Sequence, residues 1–197
     1  MGQIKAMLWA ILGSLLLAAP VVAQTISACP PTPETKLEGL ENIPGTVIIR
    51  GTTPIGSISA RAASGTGSVT VRSREVTDVG SERREYGIAI GVVEGGHPHE
   101  GVLVDYEEIA PLPNAIDYLN KLDWSATSLK SFDAVYTMKN SFRVAALARQ
   151  RTSPIEFAIR TCRLKETTVL LSRDQLVQLR GFIEQGRIQL DTLRSGR

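Results

Sequence analysis

Two histidines, the only ones in the chain, stand two residues apart and are the first candidates for chemistry. His97 and His99 lie in the sequence EGGHPHEG, which covers residues 94–101. In an extended segment residues i and i+2 point to the same side, so both imidazoles could face one metal ion, with Glu100 as a carboxylate ligand. Zinc or another transition metal is the cofactor that such donors hold. The alternative is a polar hairpin tip whose histidines face solvent, because the spacing defines no third ligand.

The chain has two cysteines, Cys29 and Cys162. In an oxidising compartment they could form a disulfide, which would pin the N-terminal segment against a β-like run and close a long loop. The alternative is two unpaired thiols, because a sequence does not give the distance between the two residues. A catalytic role for Cys162 is disfavoured, since nothing in the sequence places a histidine beside it.

The sequence lacks the motifs of two common catalytic classes. No Gly-x-Ser-x-Gly occurs, which disfavours one large class of serine hydrolases. The sequence GTGS at residues 65–68 lacks the lysine of a phosphate-binding loop and precedes a strand-like run, so a plain loop is the better interpretation.

Three acidic residues, Asp105, Glu107 and Glu108, surround a tyrosine where a strand-like run passes into a helix-like run. Clustered carboxylates can bind a hard cation or act as a paired acid and base. The favoured interpretation is that they stand at the front of a helix and are stabilised by its dipole. Trp124 follows the same helix-like run. It could line a carbohydrate pocket, but a tryptophan in that place more often covers the core.

Residues 1–23 have the pattern of a secretory signal peptide. Lys5 is the only charged residue before Glu34, and the apolar run over residues 6–19 is shorter than the roughly 20 residues that span a bilayer. Small residues at positions 21 and 23 suit the −3 and −1 sites that signal peptidase recognises. We therefore expect removal of residues 1–23 and export to the periplasm or the extracellular space.

A second cleavage site competes with the first. The sequence ISAC at residues 26–29 resembles a bacterial lipobox, and cleavage before Cys29 would leave a lipid-bearing N-terminal cysteine. Gln24 and Thr25 separate this sequence from the apolar run, and Leu is more usual than Ile at its first position. Soluble export is therefore favoured, and contact with a membrane is expected only if Cys29 carries lipid.

Length and charge limit the class of protein. The 197 residues, less the signal peptide, suit one domain. We expect a Pro-rich leader at residues 24–44 and a single α+β domain at residues 45–197. The chain has 22 Lys and Arg against 20 Asp and Glu, a balance that gives no electrostatic reason to expect nucleic acid as a partner.

Alternating apolar and polar residues predict strands from Gly45 onward, most clearly at residues 86–93, 142–146 and 155–160. A short strand at residues 47–49 is expected to end near Gly51 and Pro54, and residues 62–67 are expected to form a flexible loop. Alternation gives each strand one buried and one exposed face, which is typical of an antiparallel sheet.

Two segments have helical spacing instead. The first is expected to begin near Pro113, as a residue of the first turn, and to end at about Leu122. The second covers residues 173–193, and Ser172 with Gln175 forms a capping-box pattern at its start.

The order of strands, helix, strands and terminal helix excludes a doubly wound parallel sheet, which needs a helix between successive strands. It predicts an α+β fold that is mainly β. The sheet is antiparallel, or a partly closed barrel, of about seven to eight strands, with one mid-chain helix and a long C-terminal helix. A PH-like barrel closed by its C-terminal helix is an architectural analogy.

Three sequences, VDYEEI at residues 104–109, IDYL at 116–119 and FDAVYT at 132–137, resemble uncharacterised exported bacterial proteins. The resemblance covers about residues 80–194. It implies an intact domain in this region, and it implies no particular activity.

The sequence therefore favours a non-catalytic secreted module, a binding or accessory domain of the bacterial envelope with an envelope or extracellular ligand of unknown identity. Two alternatives stay open. The first is a metal-binding protein or metal-dependent enzyme that uses His97 and His99. The second is a membrane-anchored lipoprotein that acts through Cys29.

The metal hypothesis makes a direct prediction. Protein purified without a histidine tag should carry stoichiometric transition metal, and His97→Ala combined with His99→Ala should abolish it, because imidazole nitrogens are the main ligands of the site. Elemental analysis by mass spectrometry measures this. Wild-type protein without metal, or a double variant with unchanged metal content, contradicts the hypothesis.

Overall fold

A computed structural model describes Cys29 and residues 34–95, 101–162 and 166–196. Eight strands share one sheet: Ile48–Ala62 (β1), Gly65–Asp78 (β2), Arg84–Glu94 (β3), Val102–Asp105 (β4), Phe132–Thr137 (β5), Arg143–Ala148 (β6), Glu156–Cys162 (β7) and Glu166–Leu171 (β8). The helices are Lys36–Glu41 (α1), Tyr106–Ile109 (α2), Pro111–Lys121 (α3) and Arg173–Ser195 (α4), with one 3₁₀ turn at Trp124–Ala126. The predicted α+β, mainly β fold is confirmed.

The sheet consists of two antiparallel meanders. Its strand order is β4-β3-β2-β1-β8-β7-β6-β5, so each half follows chain order and the two halves meet where β1 lies beside β8. The sheet is open, with β4 and β5 as its edges. Of the two expected arrangements, the antiparallel sheet is confirmed. No closed barrel forms, because these two edge strands do not pair to complete a ring, and the analogy with a PH-like barrel does not hold for the same reason.

The junction between the two meanders is short. β1 pairs with β8 only through Arg61 opposite Leu170 and Ala62 opposite Val169. Helix α4 crosses this junction and contacts β1, β2 and β3 of the first meander as well as β7 and β8 of the second. A single helix thus covers the inner face of both halves of the sheet.

The apolar stripe predicted for α4 forms the main core. Leu176, Leu179, Ile183 and Leu190 are fully buried against valines and isoleucines of the sheet. The capping box is confirmed. The Ser172 hydroxyl accepts from the backbone amide of Gln175, and the Gln175 side chain accepts from the backbone amide of Ser172. Burial of one such leucine contributes roughly 1.5–3 kcal/mol, so the stripe holds the helix firmly on the sheet.

Strand β1 is longer than the sequence predicts. It continues through Gly51 and Pro54, and a register shift between Pro54 and Gly56 absorbs the irregularity. The proline is accepted because this part of β1 pairs with β2 on one side only, and proline is tolerated on the edge of a sheet. Gly56 is required by packing, because a Cβ there would lie 2.3 Å from the ring of Phe182 on α4.

The mid-chain and loop predictions need small corrections. Helix α3 begins at Pro111 and not near Pro113, with proline in its first turn, and the short helix α2 precedes it. The residues expected to form a flexible loop at 62–67 instead close a tight hairpin, because β1 ends at Ala62 and β2 begins at Gly65. Gly65 has a φ of 114°, a conformation that favours glycine.

The segment assigned to a Pro-rich leader contains a helix, α1, that belongs to the fold. Thr35 and Glu38 form a reciprocal capping box at its start, and Leu37 and Leu40 are fully buried. With Val76 and Leu103 they make a second apolar cluster on the face of the sheet opposite α4. The first meander is therefore covered on both faces, by α4 on one side and α1 on the other.

A side-chain hydrogen bond connects the two ends of the sheet. Asn140, in the turn between β5 and β6, is buried, and its Nδ2 donates to the carbonyl of Leu103 on β4 at 2.5 Å. The predicted turn at residues 139–141 is thus confirmed, and Ser141 adopts a φ of 63° within it. The open sheet curves enough for its two edges to approach one another.

Within the described ranges, no helix is both long enough and apolar enough to cross a membrane.

The structure predicts that α1 stabilises the whole domain. Leu37→Ala should lower the free energy of unfolding by about 2–5 kcal/mol, because it removes a fully buried side chain and leaves a cavity. Ile43→Ala, two residues after the same helix and 37% exposed, is the control and should change stability by less than Leu37→Ala does, by about 1 kcal/mol. Urea unfolding followed by circular dichroism measures both. Equal, small effects would show that residues 34–44 are a detached leader.

Candidate functional site

The predicted metal ligands His97, His99 and Glu100 lie outside the described residues. Among the residues that are described, no group of three or more His, Cys, Asp or Glu side chains is arranged to hold a metal ion. The metal site therefore stays a prediction from the sequence.

Cys29 and Cys162 form a disulfide, with their Cα atoms 5.3 Å apart across a sequence separation of 133 residues. It joins the segment ahead of α1 to the last residue of β7. A sulfur that carries lipid as a thioether has no thiol left for a disulfide, so this pairing and a lipidated Cys29 exclude each other. Of the alternatives in the sequence, the structure contains the disulfide.

The acidic cluster at the start of α2 anchors other elements. The Asp105 carboxylate accepts from the backbone amides of Lys36 at 2.8 Å and Leu37 at 3.2 Å, so it caps α1 and makes no cap bond to its own helix. Glu107 pairs with Lys36 at 2.9 Å, and this hydrogen bond lowers the pKa of the Glu107 carboxyl. The acids stand at the start of a helix, as expected, with Asp105 at the N-cap of α2 and Glu107 in its first turn, and they also contact α1.

The last acid of this cluster binds the β5–β6 turn. Glu108 pairs with Lys139 at 2.8 Å, and the hydrogen bond raises the pKa of the Lys139 ammonium. All three carboxylates therefore have structural partners, and their geometry gives no support to an acid–base pair or a hard-cation site.

A depression lies where β8 passes into α4, and we call it the α4 cleft. Its volume is about 820 Å³. The 3₁₀ turn contributes Trp124, the segments before it and before β7 contribute Leu122 and Ile155, and the start of α4 contributes Arg173 and Gln175. Apolar walls with a few polar groups are typical of sites that bind small molecules or chain segments.

The polar groups of the α4 cleft are held in place by their neighbours. Arg173 donates to the carbonyl of Leu122 at 3.3 Å and lies 5.4 Å from the ring centre of Phe157. Gln175 donates from Nε2 to the carbonyl of Ser59 on β1 at 2.7 Å. These contacts connect α3, β7, β1 and α4 at one place, so the cleft is built on the junction of the two meanders.

Trp124 is positioned by local hydrogen bonding and by aromatic contacts. Asp123 precedes the 3₁₀ turn and accepts from the amide of Ser125 at 2.7 Å, which fixes the turn. The indole ring meets the edge of Phe132 at 5.7 Å between ring centres, and the guanidinium of Arg151 lies 5.9 Å from it. The ring is half-buried and lines the cleft, and it is not among the residues that pack against the main core.

A second depression, of about 690 Å³, lies at the other end of α4, between Arg194 and the turn that joins β2 to β3. Tyr86 lies within it, and Ile49 and Val79 are largely exposed at its rim. Both of its cationic groups are already engaged. The Arg194 guanidinium lies 3.7 Å from the ring centre of Tyr106, which donates to Asp191, and Arg84 pairs with Glu75 at 3.5 Å. The α4 cleft is therefore the better candidate for a ligand site.

Asp78, beside the second depression, is held by a set of hydrogen bonds. Its carboxylate accepts from the hydroxyl of Thr46, from the amide of Gly80 at 2.9 Å and from the hydroxyl of Ser81 at 2.6 Å. The Ser81 and Thr46 hydroxyls, followed by the Gly80 amide, lower the pKa of the Asp78 carboxyl below its ordinary value. This network shapes the turn between β2 and β3.

Comparison of the chain with protein-family models, with curated proteins and with solved structures gives no match.

Sequence reasoning identified Trp124 but not the residues around it. The cleft is assembled from the end of β1, the 3₁₀ turn, the start of β7 and the passage from β8 into α4, and no local motif marks Arg173 or Ile155 as its lining. One signal was present for the anchor of α1: the sequence TKLE at residues 35–38 has capping-box spacing before an apolar pair.

The hydrogen bonds of Asp78 predict a pH dependence of stability. Because its folded pKa is lowered, its contribution is complete above the unfolded value of about 3.9 and is lost as pH falls through the folded pKa. Asp78→Asn should therefore be less stable than wild type at pH 7, and the difference should shrink below about pH 4. Thermal unfolding from pH 7 to pH 2.5 measures it.

The control for this experiment is Asp133→Asn, which changes an exposed carboxylate on the edge strand β5. It should follow the wild-type curve closely. A difference between Asp78→Asn and wild type that is constant across the pH range would show that the ionised carboxylate contributes nothing specific.

Proposed function

We propose that the protein is an exported, non-catalytic binding or accessory module of the bacterial envelope, and that it holds its ligand in the α4 cleft. The observation that carries this proposal is the cleft itself. It combines an aromatic ring, an aliphatic wall and fixed hydrogen-bond donors in about 820 Å³ at the junction of the two meanders. That composition suits recognition of a ligand with both apolar and polar groups.

Two observations support the proposed compartment. Residues 1–23 have the charge and length pattern of a signal peptide. The Cys29–Cys162 disulfide is of a kind that persists outside the reducing cytoplasm, in the periplasm or beyond the cell. A protein released after Ala23 would keep both cysteines and could form this bond.

The chain offers its own reporter of the cleft. It has two tryptophans, Trp9 in the proposed signal peptide and Trp124 in the cleft wall. In protein that begins at Gln24, all tryptophan emission comes from Trp124. Any ligand that enters the cleft changes the environment of this one indole ring.

The test is a titration of the oxidised protein with defined envelope components, namely peptidoglycan fragments, oligosaccharides and peptides, followed by tryptophan emission. We expect a saturable change in emission with one of these classes. Ser59→Arg, which places a long cationic side chain at the cleft wall, should weaken that binding at least tenfold, because the new side chain occupies the space of the ligand.

Ser57→Arg is the matched control, since Ser57 is an exposed serine two residues earlier on the same strand and does not line the cleft. It should leave affinity within twofold of wild type. A ligand that binds, by calorimetry, with no change in Trp124 emission and with equal affinity for both variants would contradict the proposed site.

A further inference from the structure

We infer that the α4 cleft continues as a groove across the outer face of β5–β8, and that the groove takes an extended peptide segment in which acidic and apolar side chains alternate. This inference rests on the proposed binding function and names the chemical class of the ligand. Here the outer face is the face of β5–β8 opposite α4, and the outer groove is the depression on it.

The floor of the outer groove is aliphatic. Strand register places Ala145 on β6 directly opposite Ala158 on β7, which in turn faces Leu170 on β8. The two alanines are 1% and 0% exposed, so they lie beneath the groove and do not line it. The aliphatic side chains that line it are Leu147 and Leu170, which are partly buried.

The outer groove is continuous with the α4 cleft. A depression of about 470 Å³ shares Arg61, Glu156 and Leu170 with the cleft. A further depression of about 290 Å³ shares Leu147, Arg149 and Arg160 with this 470 Å³ depression. The Arg61–Glu156 ion pair lies where the cleft passes into the groove.

Arginine side chains without anionic partners lie along this face. Among the described residues, Arg143, Arg149 and Arg160 form no ion pair, whereas Arg61 pairs with Glu156. Asp133 is the acidic residue at the far end of the groove. The groove therefore has an excess of positive charge in a chain whose overall charge is nearly balanced.

One pair of these arginines is unfavourable in the free protein. Arg143 on β6 lies directly opposite Arg160 on β7, and like charges in this position destabilise a sheet. In addition, Nε of Arg160 is buried without a hydrogen-bond partner. A pair of like charges and an unpaired buried nitrogen break the usual rules of sheet stability, and such departures are expected at functional sites. A carboxylate above the pair would neutralise the repulsion.

The dimensions and chemistry of the groove favour a peptide. From β1 to β5 the groove crosses four strand spacings, about 19 Å at roughly 4.8 Å each. An extended peptide covers this distance with about six residues at roughly 3.3 Å per residue. Alternating side chains on such a segment can place carboxylates beside the arginines and apolar groups against Leu147 and Leu170. An acidic glycan lacks the apolar groups that this floor would bury.

The experiment measures fluorescence anisotropy with the oxidised protein that begins at Gln24. The probe is a fluorescein-labelled twelve-residue peptide in which Glu and Val alternate, and the control probe replaces every Glu with Lys. We expect saturable binding of the Glu–Val peptide alone, weakening as salt rises from 50 to 300 mM, because exposed charge contacts are screened. An excess of alginate oligosaccharide, an acidic glycan, should compete poorly.

Two charge-matched variant pairs test the location. Arg149→Gln with Arg160→Gln should weaken binding of the Glu–Val peptide at least tenfold, since it removes charge-assisted contacts. Arg50→Gln with Arg83→Gln, elsewhere on the surface, makes the same change in net charge and should change affinity less than twofold. Arg149→Glu, at an exposed position, provides a second variant if loss of Arg160 disturbs the fold.

The inference is overturned if the Glu–Val peptide does not bind, if the Lys–Val peptide binds equally, or if both variant pairs lose the same affinity. Preferential binding of alginate would also overturn it, by making a glycan the occupant. If the peptide fails while the Trp124 titration finds another ligand in the α4 cleft, only this inference falls. If no class of ligand alters Trp124 emission, the proposed function falls with it.

Discussion

The packing of α4 across the junction of two meanders is the interaction on which the rest of the structure depends. β1 and β8 share two residue pairs, at Arg61 and Ala62, so backbone hydrogen bonds alone join the halves weakly. The buried stripe of α4 contacts strands on both sides of that junction, so the two meanders share one core. Its first turn must then lie beside β1 and β8, and the same requirement creates the α4 cleft. The α4 cleft is thus a consequence of the packing of α4 across the junction of the two meanders.

A second constraint fixes the N-terminal segment. The disulfide joins Cys29 to Cys162, and in the entropic model closure of a loop this long contributes about 5 kcal/mol by restricting the unfolded chain. The Asp105 carboxylate and the burial of Leu37 and Leu40 then hold α1 on the sheet. Covalent and non-covalent contacts therefore act on the same short segment, and together they make it part of the domain.

The sequence predicts most of the fold, because the burial of one face per strand and one stripe per helix leaves a periodic pattern. The antiparallel sheet and the Ser172 cap of α4 follow from that pattern. The pattern does not predict whether the sheet is open or closed, since that depends on which edge strands pair. The sequence also does not predict that β1 continues through Pro54, because this requires that β1 pairs with β2 alone at that position. The site was least predictable, because its lining comes from distant elements and because the outer arginines look like ordinary surface charge until strand register places Arg143 opposite Arg160.

The mass of the native protein tests most directly whether the domain is exported, as we propose, and closed by its disulfide. Intact mass spectrometry of the exported protein, with alkylation before and after reduction, reports both its first residue and the state of its cysteines. We predict a chain that begins at Gln24, resists alkylation when oxidised and takes up two alkyl groups after reduction. A chain that begins at Cys29 with added acyl mass, or one whose thiols react without reduction, would contradict the claim and place the protein on a membrane or leave α1 without its covalent anchor.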